Sequence, residues 1–182
     1  MPSRRRRASS PTPAVPDSVD RVVSEWAAEL PELAVEPIEI ITRVGLLRTW
    51  FDDELAEVFA RFELTMADFT VIAALRRSGE PFEMPQAALM TRLGLTSGTV
   101  SVRLQRLQDM GVVTRSPSPD DARGVRVRLT AKGLDLFAAV APSHLANEDR
   151  LLSALTGQER AQLAGLLRKL LVGFIHWSSN HL

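Results

Sequence analysis

Residues 94–115 read GLTSGTVSVRLQRLQDMGVVTR, and the fold turns on this stretch. Gly94 suits the end of one helix, and Thr96-Ser97 offers side-chain oxygens to start the next. Val100, Leu104 and Leu107 then recur at helical spacing and predict a buried face. Thr99, Arg103 and Arg106 fall on the opposite face. Gly111 closes the helix. The period then drops to two, so Val112-Val113-Thr114-Arg115 predicts a strand. A tight turn, then a helix with small hydroxyl side chains at its N-terminus and arginines on its outer face, is what a major-groove reader needs. The hydroxyls approach base edges and phosphates closely, and an arginine can hold guanine with two hydrogen bonds.

The flanking segments extend the pattern. Thr65 predicts the cap of a helix with Phe69, Ile72, Ala73 and Leu75 inward, ending at Ser78-Gly79. Pro85 opens a short helix over 86–93. Downstream, Ser116–Gly124 holds two Pro, two Asp and a Gly, which predicts a turn. Val125, Val127 and Leu129 alternate with Arg126 and Arg128, a returning strand. The result is a hairpin with one apolar and one arginine face. Its Arg123, Arg126 and Arg128 are placed to meet DNA backbone or minor groove. Thr130 predicts a helix through Leu134, Phe137 and Val140, broken at Pro142. A last helix starts after Thr156 with Glu159 completing a capping box, and carries Leu163, Leu166, Leu167, Leu170 and Phe174 as a stripe.

Upstream, Pro37 opens a long helix whose stripe runs from Ile38, Ile41, Val44 and Leu47 through Phe51, Leu55, Val58 and Phe59 to Phe62, about seven turns. Such a stripe needs another long helix, within the chain or from a second subunit. Asp17-Ser18 predicts the cap of a shorter helix carrying Val19, Val22, Val23, Trp26 and Leu30. Residues 1–16 are Arg, Ser and Pro with little to bury, and are expected to be disordered. The organisation read from the sequence has four parts: a basic arm at 1–16, N-terminal helices at 17–65, a winged helix-turn-helix domain at 66–130 and C-terminal helices at 131–182. The fold class is mainly α, with a two-stranded wing and with the N- and C-terminal helices forming a dimerisation domain.

The charge agrees once it is divided. The 182-residue chain has a formal net charge of zero, which by itself disfavours nucleic acid. Residues 66–130, however, hold nine arginines against six acids, while residues 17–65 hold four arginines against twelve acids. A basic middle balanced by an acidic flank is compatible with phosphate contact. The absence of Cys excludes disulfide frameworks, Cys-type zinc sites and thiol nucleophiles. No apolar run is long enough to span a membrane, and the cytoplasm is the expected compartment. His176 and His181 are five residues apart and do not share a helix face cleanly, so no metal site is expected, nor any cofactor.

Leu64-Thr65, Gly94-Leu95-Thr96-Ser97-Gly98-Thr99-Val100, Arg106-Leu107, Gly111-Val112-Val113, Asp120-Asp121-Ala122-Arg123 and Val127-Arg128-Leu129-Thr130-Ala131-Lys132-Gly133 together resemble the MarR family of winged-helix transcription regulators. The resemblance covers about residues 37–180. It implies a homodimer on double-stranded DNA with a pseudo-palindromic operator, and an Asp121–Arg123 pair at the wing in which the arginine reaches DNA and the acid orients it. DNA contact is expected from Thr96, Ser97, Thr99, Val100, Arg103, Arg106, Asp121, Arg123 and Arg126. A narrower resemblance, to the urate-responsive PecS-like subgroup, rests on Trp26 with Pro31 and Pro37, on residues 75–83, and on Leu95-Thr96-Ser97-Gly98. It implies a small-molecule effector site at Trp26, Thr70, Val102, Arg103 and Arg115. Thr70 stands where that subgroup has Asp, and Val102 where it has Asn. The implied effector is therefore a more apolar or differently shaped anion than urate.

The function expected is a homodimeric repressor released by a small anionic or aromatic ligand. Trp26 also reads as a simple packing aromatic, and Arg4–Arg7 as a solubilising tail. A small helical enzyme is the first alternative, but the sequence offers no paired catalytic residues or phosphate loop. A protein-interaction module that has lost DNA binding is the second, and Arg123, Arg126 and Arg128 argue against it.

Overall fold

The computed structural model describes residues 15–119 and 124–181, with side chains as far as Phe174. The expected arm lies almost wholly outside the described residues, and so do Asp121 and Arg123. The chain divides into two units, Met1–Phe51 and Asp52–Leu182. The division falls inside the long helix rather than at residue 65: Val58 and Phe59 at its far end are buried, and Phe59 belongs to the second unit's core.

The first unit holds α1 (Ser18–Glu29) and the start of α2 (Glu36–Ala60). Asp17 caps α1 by accepting from the Val19 and Asp20 amides at 2.8 and 3.2 Å, while the Asp20 carboxylate accepts from the Asp17 amide. Arg43 of α2 clasps both acids: Nε donates to Asp17 at 2.8 Å and Nη2 to Asp20 at 2.7 Å. Val19 is the one buried residue of α1. A charge-assisted clasp and the buried Val19 side chain together join α1 to α2.

The second unit contains α3 (Met66–Arg76), β1 (Glu83–Pro85), α4 (Gln86–Leu93), α5 (Ser97–Asp109), β2 (Val113–Pro117), β3 (Val125–Leu129), α6 (Ala131–Leu151) and α7 (Gly157–His181). Gly94 takes φ +61 between α4 and α5, a left-handed conformation that few side chains accept, and makes the tight turn possible. Ile72, Leu75, Leu89, Val100, Leu104, Leu107, Val112 and Val127 are fully buried around α3. Phe59 and Phe69 stack at 4.8 Å between ring centres, and Phe137 of α6 stacks on Phe69 at 5.9 Å. Gly133 lets α6 start hard against the Val112 carbonyl, where a Cβ would come within 2.2 Å.

Two local expectations are corrected. The wing is a three-stranded antiparallel sheet in the order β1-β3-β2, with Met84 opposite Val127 and Arg115 opposite Val127 on the other side. The added strand has three residues and ends in Pro85, too short to show alternation; Pro has no N–H to extend the ladder. The helix after Thr130 does not break at Pro142 but runs through it to Leu151. Packing on both sides of the proline explains this. Val140 is buried, His144 sits against Phe59 and Phe69 at 5.4 and 5.0 Å, and Asn147 donates to the Glu54 carbonyl. The capping box at the start of α7 forms as read, with Glu159 accepting from the Thr156 amide and hydroxyl at 2.8 and 2.7 Å. Those bonds hold its carboxyl below the usual range.

Candidate nucleic-acid interface

The surface in question is built on α5. Its inner face is anchored by Val100, Leu104 and Leu107, none of which retains any exposure. Three fully buried anchors on one side put the opposite side in solvent. Thr96, Ser97 and Thr99 are all exposed at the N-terminus. Thr96 accepts from the Thr99 amide at 3.4 Å, and the two hydroxyls lie 2.9 Å apart. Both hydroxyls are exposed at the positive end of the helix dipole, where phosphate is favoured.

The arginines divide into two groups. Arg103 is half-buried with no acidic partner among the described residues, so its guanidinium is available to a ligand or to DNA. Arg128 of β3 is exposed and likewise carries no ion pair among the described residues. Arg106 and Arg126 are committed to the protein. Arg106 Nε donates to Asp68 at 3.1 Å, and its Nη2 donates to the Glu63 carbonyl at 2.8 Å. Arg126 pairs with Glu83 across the sheet, and both side chains are largely buried. The outer-face pattern that grouped Arg106 with Thr99 and Arg103 is right about the helix and wrong about where this guanidinium goes. Val100 is corrected as well: it is buried and cannot touch DNA.

The expected effector residues are placed less uniformly. Trp26 lies on α1, about half-exposed, and borders a hollow of about 270 Å³ with Glu25, Glu29 and Leu30. Thr70 is half-buried on α3 and donates its hydroxyl to the Met66 carbonyl at 2.8 Å. Val102 is 73% exposed on α5, offering an apolar surface and no polar atom. Arg115 of β2 donates to Gln108 at 2.6 Å and to Gln105, both on α5, and so braces the wing against the helix. Its guanidinium is already occupied. Among the described residues no cluster of three His, Asp or Glu is placed to hold a metal, and no helix is long and apolar enough to cross a membrane.

Sequence reasoning missed Asp68. Its side chain is 2% exposed, and it accepts from the Thr65 amide and hydroxyl at 2.9 and 2.8 Å as well as from Arg106. The Thr65-x-x-Asp68 spacing is a capping-box signal with Asp in place of the usual Glu. Nothing local in the sequence points to Arg106, thirty-eight residues on.

The MarR family pattern matches residues 62–124, from just after α2 to the residue before β3. The HTH-type transcriptional regulator PecS of Dickeya dadantii is 32% identical over 82% of this chain and 90% of its own length. The crystal structure of a mutant MarR from E. coli complexed with operator DNA superposes with a TM-score of 0.67 at 26% identity, covering 80% of this chain and 97% of that one. AbsC, a MarR family transcriptional regulator from Streptomyces coelicolor, shares the fold with a TM-score of 0.71 at 23% identity, over 79% of this chain and 98% of its own.

Proposed function

The chain belongs to the MarR family of DNA-binding transcription regulators and is not an enzyme; from that premise we propose that it is a homodimeric repressor, acting in the cytoplasm, whose hold on operator DNA is released by a small aromatic ligand. The observation that carries the reading is the two-sidedness of α5. Its apolar side is wholly buried, its N-terminal Thr96, Ser97 and Thr99 are exposed, and Arg103 stands half-buried at the flank of that surface. Those four residues are the ones we assign to DNA, with Arg128 on the sheet as a backbone contact and Asp121 with Arg123 at the wing as the pair implied by the family. Two copies would present their α5 helices to successive major grooves about 34 Å apart, on a pseudo-palindrome.

The choice of ligand class follows from what the side chains can offer. Thr70 spends its hydroxyl on its own helix, Val102 has none to give, and Arg115 is taken up by two glutamines. A urate-like anion would lose several polar partners, each worth on the order of 1–3 kcal/mol when buried. Beside Trp26 the carboxylates of Glu25 and Glu29 also disfavour an anion. On α1, an aromatic ligand of low charge, stacking on the indole, suits the hollow beside Trp26 better than an anion does.

Band shifts on the promoter region upstream of the chain's own gene test the reading. Wild type is expected to bind at low salt. Arg103→Ala is expected to cost about 1–3 kcal/mol and to relax sequence preference at one position of each half-site. Absence of any shift at low salt overturns the proposal. A thermal-shift series with urate, other purines, aromatic acids and neutral aromatics tests the ligand class. A strong shift with urate and none with neutral aromatics would reverse it.

A further inference from the structure

Apolar contact keeps α5 on the core but does not by itself fix how the helix is rotated or how far it slides, because burial is non-directional. A hydrogen bond between ions is directional. Among the described residues one such contact joins α5 to the start of α3. Arg106 lies two turns along the stripe that begins with Thr99 and Arg103; its side chain is 51% exposed, but its guanidinium is bonded to the protein rather than left free. Nε reaches the Asp68 carboxylate, and Nη2 reaches the carbonyl of Glu63 in the turn before α3. Asp68 is buried and also closes the α3 capping box on Thr65. Glu63 itself holds φ +57, so the carbonyl that receives Nη2 belongs to a turn of defined shape. A buried carboxylate that loses its cation is left uncompensated, so this arrangement resists any rotation of α5 that would pull Arg106 away.

We propose that Arg106 is a positioning residue: through Asp68 and the Glu63 carbonyl it sets the angle at which α5 offers Thr99 and Arg103 to the major groove, and it does not itself contact DNA. The inference rests on the reading of α5 as the DNA-binding helix and goes beyond it, since a surface arginine on that helix would otherwise be counted as a phosphate or base contact. A lysine cannot do the same work, because one ammonium on a flexible stem does not span a carboxylate and a carbonyl in the fixed fork of a guanidinium.

The two roles predict opposite signs. If Arg106 positions the helix, Asp68→Asn weakens operator binding by about tenfold, although it removes a negative charge close to DNA. Arg106→Gln weakens it by a similar factor, and the double variant is no worse than either single one, because both break the same contact. Arg106→Lys, which keeps the charge, also weakens operator binding. Throughout, the slope of log affinity against log salt stays at its wild-type value, and binding to non-operator DNA is unchanged. If Arg106 instead contacts phosphate, Asp68→Asn strengthens binding by freeing the arginine, Arg106→Lys is nearly silent, and Arg106→Gln lowers the salt slope by about one. Any of these three results overturns the inference. Melting temperatures of each variant establish that it is folded. If Asp68→Asn does not fold, Arg106→Lys and the salt slopes still decide. Wild-type protein that binds no DNA would bring down the assignment of α5 as reader, whereas wild-type binding with the opposite signs brings down this inference alone.

Discussion

α5 and α7 carry the same kind of apolar stripe in sequence and meet opposite fates in the folded chain. Val100, Leu104 and Leu107 of α5 have no exposed surface, whereas Leu166, Leu170 and Leu171 of α7 remain 64%, 51% and 63% exposed. The first half of α2 resembles α7, with Ile40, Ile41 and Trp50 at 59%, 69% and 69%. Periodicity tells which side of a helix seeks burial but not whether its own chain supplies the cover. The winged region closes its own core, and the long helices on either side do not. Exposed apolar surface on this scale marks an interaction face, and a second copy of the chain is the partner that the proposed function assigns to it.

The largest effect should come from the open stripe. Leu166→Glu with Leu170→Glu places two charges where the second copy is proposed to pack. The variant is expected to sediment as a monomer with near-native helix content. Operator affinity should fall by roughly 100-fold or more, because the two half-sites then bind independently rather than as one linked unit. A dimer that survives both substitutions would remove α7 from the interface. In the closed region, Leu104→Ala deletes a fully buried side chain and should cost about 2–5 kcal/mol in denaturant unfolding, independent of protein concentration. The contrast lies in that independence. Leu166→Ala should lower stability by an amount that shrinks as the protein is diluted toward monomer, since only the assembled state is affected.

The parts legible in the sequence were those fixed by short-range rules. Thr65, Thr96, Thr130 and Thr156 each start a helix as their spacing predicts, and Gly94 makes the turn between α4 and α5. What escaped was set by partners distant in the chain. β1 exists because Glu83–Pro85 pairs with Val127 and its neighbours, more than forty residues away and with no local period to announce it. Pro142 stays in its helix because Phe69, Phe59 and Glu54 hold both ends. The candidate interface divides the same way. Thr96, Ser97, Thr99 and Arg103 stand where a helical wheel puts them. Arg106, Arg115 and Arg126 are drawn back by Asp68, by Gln105 with Gln108, and by Glu83, none of which a wheel can show.

The smallest effect concerns α1, which has neither a closed core nor a long apolar stripe and depends on the clasp of Asp17 and Asp20 on Arg43. The Arg43 guanidinium, followed by the Val19 and Asp20 amides, holds the Asp17 carboxyl below its ordinary value of 3.8 despite the opposing pull of desolvation. The same bonds raise the Arg43 guanidinium further above the range in which it could lose its proton. A carboxyl depressed in the folded state contributes stability that is fully present above its unfolded value, and that contribution fades as pH falls through the lower folded value. The clasp should therefore be indifferent to pH from neutrality down to about 4 and weaken below that. Trp50 borders the cleft formed with Asp17 and Arg43, so in a background with Trp26→Phe and Trp177→Phe its fluorescence reports on the junction. Acidifying that background below pH 3.8 should shift the emission, while helix content from the second unit persists. Asp17→Asn should show the shifted emission already at pH 7 and little further change on acidification. An Asp17→Asn variant that titrates like its parent would mean that apolar contact around Val19, and not the ionic clasp, holds α1, and would place α1 with the winged region among the parts that close by burial alone.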